Sequence, residues 1–344
     1  MAKLVQDASL TSVANAIREK TGGTDQLTFP SGFVSAIEGI TVGEGVSAPY
    51  IKETYDAQGN LTNVTMPGYT KIRDRLFASC DKLALTRLPS GVTWIGEGVF
   101  IGCTSLALTS LPSGVTYIGS NAFYGCTSLA LNELPSGVTE IRHDAFRNCT
   151  SLALNELPSG VTRINDSAFE GCTSLVLNEL PSGLTYIGNG SFDGCTSLAL
   201  TSLPSGLTII SASAFDGCTS LALTSLPSGV TYIGTYTFRN CTSLALTSLP
   251  SGVTEIDHNA FNGCTSLVLT SLPSGIKRIG DSAFSGCTGL TSITFEGTPT
   301  SINSRAFNSC TNLTEIKVPW ADGAVANAPW GATNATITYN YTGA

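Results

Sequence analysis

The sequence has few charged residues and very few side chains of the kind that bind metals. Charged residues make up 12% of the chain, against about 25% in an ordinary soluble domain. There are only two histidines and two methionines, and the net charge is −8. A net negative charge argues against general binding of nucleic acid or of anionic membranes. We therefore expect no nucleic-acid partner, no metal and no other cofactor.

Long apolar runs are also missing. No apolar stretch reaches the length of roughly 18 residues that a membrane span needs, so we predict no membrane insertion. Residues 1–7 lack the apolar segment of a secretory signal, and a complete chain beginning there would not use signal-dependent export. The chain does hold enough apolar residues for a core, 42%, together with 36 glycines and 15 prolines, which indicates many turns.

The eleven cysteines recur at a fixed interval. Each lies 23 residues after the one before, and a phenylalanine stands three residues ahead of each, from Phe77 to Phe307. Disulfide frameworks have uneven spacings and metal sites are local clusters, whereas a strict period places each cysteine at the same point of a repeated unit. The period predicts a solenoid of eleven coils over residues 70–318 with buried free thiols, which suit a reducing cytoplasm. The predicted core includes Cys103, Cys126, Cys149, Phe123 and Phe146.

Each unit combines two short apolar segments with two bends. In the unit at residues 111–134, the alternation over 115–118 predicts a strand of about four residues, and 129–134 predicts a second strand. The Pro-Ser-Gly sequence at 112–114 predicts a tight turn. The Ala-Phe-x-Gly-Cys sequence at 122–126 is interpreted as a bend or a short helical turn, because no segment is long enough for a full helix.

This pattern resembles the BspA-like, or Treponema-type, leucine-rich repeat. The shared motif, as read at residues 111–129, is Leu-Pro-x-x-Val-Thr-x-Ile-Gly-x-x-Ala-Phe-x-Gly-Cys-Thr-Ser-Leu. The resemblance implies a right-handed, curved stack of parallel strands with the Leu, Ile, Ala-Phe and Cys columns inside. It also implies adhesion to a protein or a glycan, and it supplies no catalytic residues.

The flanking segments do not repeat. We expect a helical N-terminal attachment module at 1–40, a linker at 41–49, a β-hairpin cap at 50–69 and a C-terminal cap at 319–344. Residues 7–22 resemble a short module at the start of tailed-phage structural proteins. The Val-Pro-Trp and Ala-Pro-Trp-Gly segments near the C-terminus resemble the end of phage repeat proteins.

The position before the repeated isoleucine varies while its neighbours stay constant. The period of a strand places this column on the face opposite the isoleucines, and its aromatic and arginine residues have the composition of a binding surface. A second variable column precedes the Gly-Cys or Asn-Cys step. The candidate ligand-binding residues are Trp94, Tyr117, Tyr124, Arg163, Tyr186, Tyr232 and Tyr236.

A purely structural interpretation of the same columns remains open. Aromatic residues also favour strands and stabilise neighbouring coils. Glu140 beside Arg163, and Glu255 beside Arg278, would form ion pairs between adjacent coils. The two pairs are five units apart, which suggests block duplication. Three other features are interpreted as ordinary surface groups: His143, His258 and the ladder of Glu133, Glu156 and Glu179.

Together these patterns predict a non-enzymatic protein. Our first hypothesis is a tailed-phage virion protein, in a tail fibre or another host-facing appendage, made in the bacterial cytoplasm. It would attach to other virion proteins through residues 1–40, bind a bacterial surface protein or glycan through the solenoid, and form a homo-oligomer. The alternatives are a BspA-like adhesin at the bacterial cell surface and a structural spacer or decoration protein of the virion.

Overall fold

The computed structural model describes residues 52–55, 61–65 and 70–343. These residues form a mostly β, parallel solenoid of about 12 turns, with no α-helix in the described part of the chain. The prediction of a mostly β solenoid is therefore confirmed. The predicted helical module at 1–40 and the linker at 41–49 fall outside the described residues.

A hairpin precedes the solenoid. Strand β1 (Lys52–Tyr55) pairs with strand β2 (Leu61–Thr65) in antiparallel register, with an irregularity between Thr54 and Tyr55. The hairpin lies within residues 50–69, where the two strand patterns and the polar stretch between them predict it.

One strand per coil carries the repeated isoleucine. Each strand has two residues rather than the predicted four, and the strands pair in parallel with their equivalents in the adjacent coils. The column consists of β3 (Lys71–Ile72), β4 (Trp94–Ile95), β5 (Tyr117–Ile118), β6 (Glu140–Ile141), β7 (Arg163–Ile164), β8 (Tyr186–Ile187), β9 (Ile209–Ile210), β10 (Tyr232–Ile233), β11 (Glu255–Ile256), β13 (Arg278–Ile279) and β15 (Ser301–Ile302). It divides into three sheets, β3–β4–β5, β6–β7–β8–β9, and β10–β11–β13–β15.

The second predicted strand forms a sheet only in the last coils. That sheet contains β12 (Ser271–Leu272), β14 (Ser292–Phe295), β16 (Glu315–Lys317) and β17 (Thr336–Thr338). In earlier coils the Leu-Ala-Leu segment makes single backbone bonds to the previous coil, such as that from Ala130 N to Leu108 O at 3.1 Å. In β14 and β16 the register places Ile293 and Ile316 where the earlier coils have threonine or asparagine, and buried β-branched residues favour extended pairing.

Turns connect the segments of each coil. In the Pro-Ser-Gly turn the Val115 amide donates to the Pro112 carbonyl at 3.0 Å, and the equivalent bond recurs in other coils. The Ala-Phe-x-Gly-Cys stretch forms successive turns, closed by a bond of 3.0 Å from the Cys126 amide to the Phe123 carbonyl. These turns return the chain to the start of the next coil.

A column of stacked phenylalanine rings runs along the centre of the solenoid. From Phe77 to Phe307 the ring centroids of adjacent coils lie 5.1–5.7 Å apart, with the planes within 16° of parallel. Rings at this separation attract one another in addition to the apolar area that they bury. Phe123 and Phe146, predicted as core residues, are fully buried members of this column.

The cysteines form a second buried column beside the rings. All eleven thiols are free and buried, including Cys103, Cys126 and Cys149. From Cys103 onward each Sγ lies 2.9–3.1 Å from the carbonyl oxygen of the phenylalanine 26 residues earlier, and donates a hydrogen bond to it. Burial raises the pKa of the Cys126 thiol to about 12 and that of the Cys310 thiol to about 11. The thiols therefore stay protonated and serve as donors between coils.

The C-terminal segment continues the 23-residue register for a further turn. Val325 follows Ile302 by one period, Trp330 follows Phe307, and both later residues are buried. The Phe307 amide donates to the Trp330 carbonyl at 2.9 Å, in the same way as earlier phenylalanines bond to the next coil. The predicted count of eleven coils therefore omits a degenerate last turn, which lies within the segment interpreted as a cap.

Candidate binding surface

The variable column lies on the outer side of the isoleucine strands. In each of these strands the isoleucine is buried, while the residue before it is half-buried or exposed. This is the alternation that a strand requires. We call the column from Lys71 to Ser301 the strand face.

Aromatic and cationic side chains stack at the N-terminal end of the strand face. The rings of Trp94 and Tyr117 lie 5.0 Å apart with their planes within 13° of parallel. The Lys71 ammonium lies 5.7 Å from the Trp94 ring, and the Arg142 guanidinium lies 4.6 Å from the Tyr117 ring. Each ring is therefore in contact with neighbours on two sides, and its remaining exposed part is the edge.

The middle of the strand face holds a cation–π pair. The Arg163 guanidinium lies 4.2 Å from the centroid of the Tyr186 ring. The predicted ion pair between Arg163 and Glu140 is wrong, although the two residues are in register. Glu140 instead bonds to Arg142 at 2.9 Å and accepts a hydrogen bond from Asn165 at 2.8 Å. Arg163 therefore turns toward the ring of Tyr186, and Glu140 turns toward the guanidinium of Arg142.

The C-terminal part of the strand face is a hydrogen-bonded charge network. Tyr232 donates to Asp257 at 2.7 Å, and Arg278 binds Glu255 at 3.0 Å and Asp257 at 3.2 Å. The predicted pair of Glu255 and Arg278 is thus formed. Burial, and then the bond to Asp257, raise the pKa of Tyr232 to about 12. Partial burial acts to raise the pKa of Asp257, but hydrogen bonds from Tyr232, the His258 amide and Arg278 outweigh it and lower that pKa to about 2.

The second variable column holds three consecutive carboxylates, Glu170, Asp193 and Asp216, with an arginine at each end. Arg147 lies over the Tyr124 ring at 5.6 Å and binds Glu170 at 2.7 Å. Farther along, the Arg239 guanidinium lies over the Tyr236 ring at 4.3 Å and forms a two-point ion pair with the buried carboxylate of Asp216. We call the column from Tyr124 to Arg239 the turn face.

The seven predicted ligand-binding residues do not form one cluster. Trp94 and Tyr117 lie together, and so do Arg163 and Tyr186, whereas Tyr232 belongs to the charge network. Tyr124 lies on the turn face and Tyr236 packs against Arg239 at its other end, about five coils away, or roughly 24 Å at the usual strand spacing. The prediction overlooked Arg142 and the pair that the buried Asp216 forms with Arg239. Asp216 and Arg239 occupy the same position of adjacent coils, one period apart, and this opposite-charge spacing could have predicted the pair.

Asp193 occupies an unfavourable position in the middle of the turn face. It lies between Glu170 and Asp216, and burial, followed by these two carboxylates, raises the pKa of Asp193 to about 6. Because the folded-state pKa lies above the ordinary value of 3.8, ionised Asp193 destabilises the folded protein. This destabilisation by ionised Asp193 is absent near pH 4 and is fully present above about pH 6.

Asp193→Asn is therefore expected to stabilise the protein at pH 8 by about 1–2 kcal/mol, after allowance for solvent screening. The gain should shrink as the pH falls through 6 and vanish near pH 4. Thermal unfolding of both proteins across this range measures it, with exposed Glu133→Gln as the control. A gain that is equal at pH 4 and pH 8 would contradict this explanation.

The described residues contain no cluster of three or more metal-ligating side chains. Glu133, Glu156 and Glu179 are exposed, and His143 and His258 lie in coils five apart. Within the same part of the chain, the search for membrane-spanning helices finds no candidate.

The repeat identifies the family. A model of the BspA type leucine rich repeat region matches residues 50–176, 139–268 and 236–321, which together cover most of the chain. The chain belongs to the BspA-type leucine-rich repeat family. Among curated protein sequences none matches it.

Several solved structures are similar to this family member. A leucine rich cell surface protein from Faecalibacterium prausnitzii A2-165 is 28% identical, with 82% of this chain and 96% of that chain covered and a TM-score of 0.47. A leucine-rich repeat protein from Bacteroides ovatus ATCC 8483 is 23% identical, with 87% and 100% covered and a TM-score of 0.45. The leucine rich repeat protein of T. pallidum is 28% identical, with 72% and 91% covered and a TM-score of 0.28.

Proposed function

We propose that this BspA-type repeat protein is a non-enzymatic binding protein that acts at the bacterial cell surface and recognises a protein partner. The observation that carries the proposal is the strand face, where rigidly repeated coils present a variable outer column of aromatic and arginine residues. Such residues dominate the energetics of protein interfaces. The adhesion implied by the resemblance to this family agrees with that composition.

The contact is placed at the N-terminal end of the strand face. Trp94 and Tyr117 are held in a fixed stack between Lys71 and Arg142, so little side-chain entropy is lost on binding. Both rings already stack on these neighbours, which leaves edges and cationic groups for a ligand. This arrangement favours an acidic protein segment over a sugar, which stacks on an open ring face.

The buried thiols are compatible with a location outside the cytoplasm. A thiol reacts with oxidants as the thiolate, and exposure controls its access. In this chain all eleven thiols are buried and those from Cys103 to Cys310 donate to carbonyls. Free cysteines therefore do not restrict the protein to a reducing compartment.

The first test measures binding to bacteria. Fluorescent full-length protein is mixed with a panel of bacterial strains, and its binding is compared with that of a Trp94→Ala/Tyr117→Ala variant. We expect strain-selective labelling that the double variant weakens about tenfold or more, since each anchor residue contributes at least about 1 kcal/mol.

The matched control is Ser90→Ala/Ser113→Ala, which alters exposed turn residues of the same two coils. It should bind as the unmodified protein does. Equal binding by all three proteins would exclude the strand face at these coils. Loss of labelling after enzymatic removal of surface glycans, but not after protease treatment of the cells, would show that the ligand is a glycan and overturn the choice of a protein partner.

A second candidate is the virion protein of a tailed phage. It is supported by the resemblance of residues 7–22 and of the C-terminal Trp-containing segments to phage proteins, and residues 1–40 would then attach the chain to the particle. Detection of the chain by mass spectrometry in purified phage particles, and not in the cell-surface fraction of the same culture, would favour this candidate. A particle-bound chain that labels no strain would indicate a structural spacer.

A further inference from the structure

The centre of the strand face is exposed and apolar. Ile209 is 51% exposed and Tyr232, in the adjacent coil, is 45% exposed. The other exposed large hydrophobic residues in the described part of the chain, Val176 and Val268, lie in the Leu-Val-Leu segments of two separate coils. The Tyr232 hydroxyl is fixed by its bond to Asp257, so its ring is held in place. An apolar centre of this kind is typical of the core of a protein interface.

The order of residues along the strand face is complementary to itself. If the part of the column from Glu140 to Arg278 is rotated by 180° about an axis through Ile209, the aromatic residues meet each other and each charge meets an opposite charge. A two-fold interface requires this self-complementarity, because one surface serves both copies. Outward from Ile209, the positions that would meet hold Tyr186 and Tyr232, then Arg163 and Glu255, then Glu140 and Arg278.

We propose that two copies of this chain associate through the strand face about a two-fold axis at Ile209. The two isoleucines meet on the axis and each Tyr186 packs against Tyr232 of the second copy. Arg163 of each copy binds Glu255 of the other, and these charges border the apolar centre. The contact runs from Glu140 to Arg278, or about 29 Å at the usual strand spacing.

The free groups on the two charged residues support this pairing. Arg163 stacks on Tyr186 and has no ion pair with a carboxylate among the residues described. Arg278 uses only the Oε2 atom of Glu255, so Oε1 is available to a second cation. Because the strand face is narrow, the contact is below the standard interface area, and a dissociation constant in the micromolar range is expected.

The first test measures the mass of the full chain in solution between about 1 and 100 μM by light scattering, a range that spans a micromolar dissociation constant. We expect a monomer–dimer equilibrium that Ile209→Glu weakens at least tenfold. Val268→Glu introduces the same charge at an exposed valine outside the strand face and should leave the equilibrium unchanged. A monomer at every concentration, or a dimer lost in Val268→Glu and retained in Ile209→Glu, would overturn the proposal.

A charge-swap experiment tests the orientation of the two copies. Arg163→Glu alone and Glu255→Arg alone each place like charges together twice in a homodimer, so each variant should be monomeric. A mixture of the two variants restores two opposite-charge contacts in the heterodimer and should dimerise. If the mixture stays monomeric while the unmodified chain dimerises, the pairing of Arg163 with Glu255 is wrong.

Cross-linking tests the position of the axis. All eleven native thiols are buried, so an introduced surface cysteine reacts alone. Under mild oxidation Ile209→Cys should form a disulfide-linked dimer, whereas Tyr232→Cys should not, because it faces Tyr186 of the second copy. A disulfide-linked dimer of Tyr232→Cys but not of Ile209→Cys would place the axis elsewhere and overturn the proposal. The Trp94→Ala/Tyr117→Ala variant should dimerise normally, so a failure of ligand binding and a failure of self-association can be told apart.

Discussion

Phe192→Ala is expected to lower the free energy of unfolding by about 3–5 kcal/mol. The Phe192 ring is fully buried and lies between the rings of Phe169 and Phe215 at 5.5 and 5.4 Å. Its loss removes two ring contacts, each contributing about 0.5–1.5 kcal/mol beyond the buried area, and leaves a cavity bounded by two rings. Turns on either side hold the backbone, so collapse of the cavity is limited.

The variant should also change the unfolding pathway. Coils of a solenoid contact only their neighbours, so stability is nearly a sum of coil and interface contributions. A weak coil in the middle is therefore expected to separate one urea transition into two. Urea unfolding followed by circular dichroism measures both effects.

Phe77→Ala is the matched control for this prediction. Phe77 has one stacked ring neighbour in the described part of the chain, Phe100, and retains some exposure. Its replacement should lower the free energy of unfolding clearly less than the replacement of Phe192 does. It should loosen the N-terminal end of the solenoid without dividing the urea transition into two. Equal losses for the two variants would contradict the argument from stacking and burial.

The period of the sequence determined most of the fold because burial repeats with it. A residue that recurs every 23 positions meets the same surroundings in each coil, so the phenylalanine and cysteine columns followed directly from the spacing. The last turn was missed because Val325 and Trp330 keep the register but replace isoleucine and phenylalanine. Apolar character was conserved there, and residue identity was not.

The contacts of the variable columns could not be obtained in the same way. Register placed Glu140 beside Arg163, yet side-chain rotation joined Glu140 to Arg142 and Arg163 to Tyr186. Long side chains at the surface select among several partners that differ little in free energy. Alternation predicts which face a residue occupies, but the partner on that face depends on the whole neighbourhood.

The second large effect concerns the ion pair of the turn face. The side chain of Asp216 is only 4% exposed, while that of Arg239 is 40% exposed. The guanidinium donates to both carboxylate oxygens, with Arg239 Nε to Asp216 Oδ1 at 3.0 Å. The hydrogen bond to Asp216 outweighs partial burial and raises the pKa of Arg239. Removal of the arginine would leave a buried carboxylate next to Asp193 without its main partner.

Arg239→Leu is therefore expected to destabilise the protein by about 3 kcal/mol at pH 7, because an unpaired charge then remains buried. Adding Asp216→Asn to that variant should recover most of the loss, since the charge is gone. Arg305→Leu is the control: Arg305 forms the same two-point pair with Asp281, but at 66% and 23% exposure, and an exposed pair contributes at most about 1 kcal/mol. Urea unfolding of the four proteins measures these differences. A loss in Arg239→Leu no larger than that in Arg305→Leu would mean that water reaches Asp216 and takes the place of the guanidinium.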